Sequence, residues 1–195
     1  MKATDILIEE HHVILKALDC MEKILEEAEN TGTLNAVAVS EWIDFIKHFA
    51  DHCHHGKEEK KFFPMMEESG VPREGGPIGC MLSEHEFGRN CVRQMKEVFE
   101  SASQGNATAL KKFANSADEF ILMLRGHITK ENNVLFMIAE QFLDKNQKET
   151  LYQEFKKVDQ EFGKCHQHYF GVIQKLCEDY RVPFLNANQF HEILV

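Results

Sequence analysis

Apolar residues recur every three or four positions through most of this 195-residue chain, and the recurrence breaks where turn-forming residues cluster. That pattern predicts five long helices. The first runs from about Asp5 to Glu29, with Thr4 as its cap and Leu7, Ile14, Leu18, Met21 and Leu25 on one stripe. After the loop Asn30 to Asn35, a second spans about Ala36 to Glu68 with Trp42, Ile46, Phe49 and Ala50 inward, and Pro64 is expected to kink or end it. The third opens at Pro77 and reaches about Ser103, with Met81, Val92, Met95 and Phe99 as its stripe. The fourth covers about Ala107 to Leu143 with Phe113, Phe120, Leu124, Val134 and Ile138, and the fifth about Gln147 to Tyr180, stopped by Val182-Pro183. The tail FLNANQFHEILV reads as a docked or frayed segment.

Four helices of this length joined by short loops pack most simply as an up-down-up-down bundle, each antiparallel to its neighbour. The expected fold is therefore all-α: a four-helix bundle over residues 1–143 and a C-terminal helical extension, 144–195, packed on the same domain. Only four prolines and three tyrosines agree with a helical rather than a β-rich chain. A net charge of −10, without a cluster of Lys or Arg, speaks against nucleic acid as a partner. The longest apolar runs, such as FILML and VLFMIA, are too short to span a bilayer, and MKATDILIEEHH lacks the apolar core of a signal peptide. Six cysteines with no CxxC read as thiols of a reducing compartment, which makes cytoplasm the expected location.

Ionisable residues interrupt the apolar stripes. His11 falls between Leu7 and Ile14, His85 between Met81 and Val92, and His127 with Glu131 between Leu124 and Val134; in the second helix Ile43, Ile46 and Ala50 lead to His54 and Glu58. One histidine on an apolar face is most simply a hydrogen-bonded core residue, but four in register are a different matter. The pairs His54/Glu58 and His127/Glu131 are spaced i, i+4, so each helix presents an imidazole and a carboxylate about 6 Å apart along its axis. His11 to His85 is 74 positions and His54 to His127 is 73, and the strings EEHH and SEHE echo each other, as in a duplicated helical hairpin. Folded with pseudo-twofold symmetry, such a chain brings four imidazoles and two carboxylates to one point. Burying the carboxylates there without a cation would cost several kcal/mol each, whereas two divalent ions would keep them ionised. Imidazole and carboxylate without thiolate favour iron or manganese, with zinc possible, and leave coordination positions for water or a small ligand such as O2, peroxide or NO.

The strings EEHHVI, HHGKEEKKFFP, SEHEFGR and HITKENNVLF resemble the hemerythrin-like, or HHE cation-binding, domain over roughly residues 3 to 143. The resemblance implies a bundle holding a non-haem di-iron centre, with His11, His54, Glu58, His85, His127 and Glu131 as ligands and the two glutamates bridging. FGKCHQHYF is similar to the C-terminal extension of longer bacterial members. Oxygen-carrying hemerythrins place another histidine four residues after the one matching His85, where this sequence has Arg89, and a fixed cation cannot ligate iron. Arg89 is expected instead to steady Glu131 or an anionic ligand from behind the ligand sphere, or to lie on the surface.

The neighbours carry open alternatives. His12 and His55 could ligate but are expected to face solvent, as are Lys57, Glu59, Lys60 and Lys61. Glu10 and Glu84 could hold the imidazoles by hydrogen bonds or simply be solvated. His166, His168 and Tyr169 reach the site only if the fifth helix docks over the bundle's open end, and Cys53 is expected to be a small core residue. The leading function is a di-iron protein that binds or reduces O2, peroxide or NO as sensor, scavenger or store, with redox turnover left open. The alternatives are iron storage, delivery or iron-centre repair without turnover, and a purely structural bundle. The family's repair branch carries a cysteine-bearing N-terminal module that is not seen ahead of the first helix, which ranks repair second.

Overall fold

The structure, a computed structural model, describes residues 2–184 apart from the side chains at positions 164 and 165; the remainder of the expected C-terminal tail, 185–195, lies outside the described residues. The elements in chain order are α1 (Ala3–Thr31), α2 (Ala36–Phe45), π1 (Ile46–His55), π2 (Glu58–Phe62), α3 (Phe63–Glu68), α4 (Pro77–Ser103), α5 (Ala107–Lys130), π3 (Glu131–Leu135), α6 (Phe136–Phe142) and α7 (Lys145–Asp179). No strand occurs among the described residues. The run from α2 to α3 is one winding rod, and so is the run from α5 to α6. With α1 and α4 these make the four-helix bundle: α1 packs on α2 and α5, and α4 packs on α5 and α2. The fifth helix, α7, lies outside this ring along α1, α2, π1 and π2.

The helix ends follow local chemistry. Asn35, Asn106 and Asp144 each accept from a backbone N–H three residues on, at 3.2, 3.0 and 2.8 Å. Gly32 closes α1 in the left-handed region at φ +76°, donating to the Ala28 carbonyl at 2.8 Å. Three expectations need correction. Thr4 is not a cap: α1 starts at Ala3, two residues earlier than expected, because the Asp5 carboxylate accepts from the Lys2 backbone N–H at 2.7 Å, which leaves Thr4 buried inside the helix. Pro64 neither ends nor breaks its rod, which continues to Glu68; the preceding segment closes an i→i−5 bond from Phe63 to Glu58, so the pyrrolidine ring does not meet the carbonyl that an α-helix would put against it. Val134 is 52% exposed rather than core, because π3 shifts the register there by a fraction of a turn.

The core is two apolar clusters with a gap between them. One holds Val13, Leu18, Trp42, Phe49, Cys91, Phe120 and Ile128, and the Trp42 indole N–H donates to the Ala17 carbonyl at 2.7 Å. The other holds Leu7, Phe62, Met81, Leu135 and Phe155. Every rod of the bundle passes from one cluster to the other, and each carries its histidine at the crossing.

Candidate metal centre

His11 from α1, His54 from π1, Glu58 from π2, His85 from α4, His127 from α5 and Glu131 from π3 converge in that gap, all six buried. Each carboxylate spans two imidazoles. Glu58 has Oε1 3.6 Å from His54 Nε2 and Oε2 3.5 Å from His85 Nε2. Glu131 has Oε2 3.1 Å from His11 Nε2 and Oε1 3.3 Å from His127 Nε2. Donor atoms of His11, His54, Glu58 and Glu131 lie within 4.8 Å of one another, and so do those of His55, Glu58, His85 and His127.

The imidazoles are held from behind, all through Nδ1. His11 faces Asn132 Oδ1 at 2.8 Å, His54 faces Glu10 Oε2 at 2.9 Å, His85 faces Glu59 Oε1 at 2.7 Å and His127 faces Glu84 Oε2 at 2.9 Å. Facing an acceptor, each Nδ1 carries the proton, so each Nε2 turns a bare lone pair to the centre. There it meets carboxylate oxygens, or in one case another bare nitrogen: His85 Nε2 and His127 Nε2 are 3.2 Å apart. Accordingly, neither oxygen of Glu58 or Glu131, nor Nε2 of His11, has a hydrogen-bond partner despite the close approach. Lone pairs converging on lone pairs in a dry interior repel unless a cation lies between them. The donor set fits divalent metal on this ground. Without one, burial pushes the Glu58 carboxyl well up, with the Glu131 carboxylate adding to the effect, and burial pushes His54 well down.

The surroundings correct several expectations. Arg89 does not reach Glu131. Its guanidinium is taken by Asp51, Glu59 and Glu86, at 2.8, 2.7 and 2.7 Å, because α4 points it along the bundle wall toward π1 and π2. Glu59 is not simply solvated: burial would raise it, but His85 and Arg89 outweigh that and hold it at about 2. Lys57 is fully buried, bonded to Glu10 and Asp159, and these anions raise it against the effect of burial. His55 is buried too, its ring parallel to that of His85 at 3.8 Å. One cause underlies the misplacement of Glu59 and His55, and of Lys57 between them: the i→i+5 winding of π1 and π2 advances each residue by a smaller angle than an α-helix, so more neighbours remain on the inner side. His12 is half-buried outside both donor groups.

Glu10 and Glu84 take the hydrogen-bonding role rather than the solvated one. His166 from α7 does not enter the donor groups around Glu58; it lies with Nε2 2.8 Å from Cys53 Sγ and 3.9 Å from Glu10 Oε1, behind His54, and Cys53 is buried as expected. His168 is exposed, and Tyr169 donates to Asp44 at 2.7 Å, well away from the centre along α2. Asn132 and Asp51 went unremarked in the sequence, although Asn132 directly follows Glu131 and Asp51 stands one helical turn before His55. A cavity of about 270 Å3 adjoins one side of the centre, lined by Ala50, Gly88, Phe120 and Leu124 together with His55, His85 and His127. His11 and His54 do not line it.

The model of the hemerythrin HHE cation binding domain matches residues 2–139. The chain is also similar to proteins named iron-sulfur cluster repair protein YtfE from Salmonella paratyphi B (strain ATCC BAA-1250 / SPB7) and Salmonella newport (strain SL254). Each is 36% identical over 85 residues, covering 43% of this chain and 39% of the relative. The similarity thus spans about two fifths of the length of these curated relatives. No solved structure matches. No helix among the described residues is long and apolar enough to cross a membrane.

Proposed function

The chain belongs to the hemerythrin HHE cation-binding domain family, and from that premise we propose a non-haem di-iron protein of iron-centre maintenance, one that holds and hands on iron. The proposed ligands are His11, His54, Glu58, His85, His127 and Glu131, with Glu58 and Glu131 each shared between the two positions. One observation carries the reading: two fully buried carboxylates whose four oxygens have no hydrogen-bond partner and face bare imidazole nitrogens. Imidazole and carboxylate without thiolate suit iron, and manganese or zinc would fit the same donors less selectively. Bound iron supplies Lewis acidity and one-electron redox capacity. The chain's own residues do the rest. Asn132, Glu10, Glu59 and Glu84 fix the tautomer and direction of each imidazole, and the two apolar clusters keep water from the carboxylates.

The two positions differ in access, and this supports handling of iron over permanent storage. His11 and His54 are fully buried and do not line the cavity, which makes theirs the enclosed side, while His85 and His127 face it. An exchangeable iron at the cavity side agrees with the repair role printed for the relatives, which come to this chain only as similarity over part of their length. We take residues 1–143 as the bundle and 144–195 as its extension, a division supported by the family match ending at residue 139 and by α7 lying outside the ring. Cytoplasmic location rests on the cysteine pattern alone.

A second reading, binding or reduction of O2, peroxide or NO, is favoured by the same cavity, which is ample for a small ligand. Anaerobic loading with Fe(II), followed by a chelator challenge and incubation with an iron-depleted iron–sulfur protein, separates the two. The proposal expects two irons per chain, one released much faster than the other and recovered in the acceptor. Iron that stays put while peroxide or O2 is consumed would favour the second reading; a chain that takes up no iron would overturn both.

A further inference from the structure

We infer that His55 is a third imidazole ligand of the cavity-side metal, standing in for the histidine that Arg89 displaces. The inference rests on the two-metal reading above and concerns how this chain completes it. Four imidazoles share one arrangement: Nδ1 on a side-chain oxygen, Nε2 toward the centre. His55 shares the first half of it and brings a ring nitrogen to the same donors. Its Nδ1 lies 3.4 Å from Asp51 Oδ1, and its ring is buried, edge-on to His127 at 6.0 Å and parallel to His85. A ring nitrogen of His55 lies within 4.8 Å of donor atoms of Glu58, His85 and His127, a spread that one metal ion can span.

Two features make the assignment more than proximity. The first is the helix winding: His54 and His55 are adjacent, and an α-helix would point them 100° apart, one in and one out. Both end the i→i+5 segment π1, and both face inward. The second is Arg89. In the structure it is a clamp rather than a free surface cation: it binds Asp51, which faces His55, and Glu59, which holds His85. A residue that cannot ligate metal thus anchors the two carboxylates that aim two imidazoles at one position. The resulting site is uneven, with His11 and His54 on the enclosed side and His55, His85 and His127 on the cavity side.

The test is His55→Gly in the full chain, loaded anaerobically with Fe(II) and read by iron content and Mössbauer spectrum, with and without free imidazole. Imidazole has room to enter, since His55 lines the 270 Å3 cavity. Expected is a loss of affinity for one iron of at least roughly tenfold, a changed spectrum for that iron alone, and recovery of both with imidazole. His55→Gln, which keeps an amide N–H for Asp51 but offers no imidazole, is expected to show the same loss and serves if the glycine variant does not fold by circular dichroism. Two irons held with unchanged affinity and spectrum in a folded variant would overturn this inference alone. A wild-type chain that binds no metal would overturn the two-metal reading and this inference together.

Discussion

Replacing Glu58 by glutamine separates the folding role of the centre from its metal role, because the two should move in opposite directions. In the metal-free chain Glu58 is fully buried, both oxygens lack a donor, and burial together with Glu131 disfavours its ionised form. The amide is nearly isosteric, carries no charge, and adds an N–H that can donate to Glu131 or to the bare Nε2 of His54 or His85, 3.6 and 3.5 Å from the present oxygens. Curing one buried, unsatisfied group is worth about 1–3 kcal/mol, and in a chain of this size each kcal/mol raises Tm by roughly 2–4 °C. Metal-free Glu58→Gln is therefore expected to melt higher than the metal-free wild type. Wild type should gain about 2.7 kcal/mol more when free Fe(II) stands at 100 times its Kd, and the variant, lacking a shared anionic ligand, should lose most of that gain. Differential scanning calorimetry in chelator and in Fe(II) reads all four states. A metal-free variant less stable than wild type, or one that keeps the full Fe(II) increment, would refute the reasoning that the carboxylate is placed for a cation at the expense of the fold.

Lys57→Met should destabilise by about 3–5 kcal/mol, because it leaves the buried Glu10 and the neighbouring Asp159 without their cation, and urea denaturation checks it. Since Glu10 also holds His54, the same variant should weaken the enclosed metal position more than the cavity-side one. Glu84→Ala removes the acceptor behind His127 from a half-exposed site, so it should leave the fold intact and lower metal affinity roughly 10–100-fold, measurable by competition with a chromogenic chelator.

Much of this arrangement was legible before any coordinates. The stripes around Leu7, Trp42, Met81 and Phe120 dictated helices, and the loop Asn30 to Asn35 together with Pro77 and Val182-Pro183 bounded them to within a few residues, since these signals are local. The four histidines and two glutamates were visible for the same reason: each interrupts an apolar stripe of its own helix, and a charged or polar residue in such a stripe needs a partner. That Glu58 and Glu131 are i+4 from His54 and His127 is a property of the chain alone.

What the sequence could not carry is anything that depends on winding or on which helix stands opposite. Fixed α-periodicity turned Lys57, Glu59 and His55 outward and Val134 inward; with i→i+5 winding Lys57 and His55 are buried, Glu59 is half-buried and Val134 is exposed. Such winding is not written in composition; it persists because two apolar clusters grip both ends of the rods while the polar layer between them must aim its donors at one point. Likewise no spacing rule joins Arg89 to Asp51 and Glu59, Lys57 to Asp159, or His166 to Cys53, residues 30 to more than 100 positions apart that meet only when α4 and α7 lie against the second rod. The sequence by itself determined the helices, their apolar faces and the ligand types, because those are local facts. Tertiary packing decided which charges are buried, which carboxylate steadies which imidazole, and on which side the centre opens, because the free energy of a buried ion depends on what surrounds it.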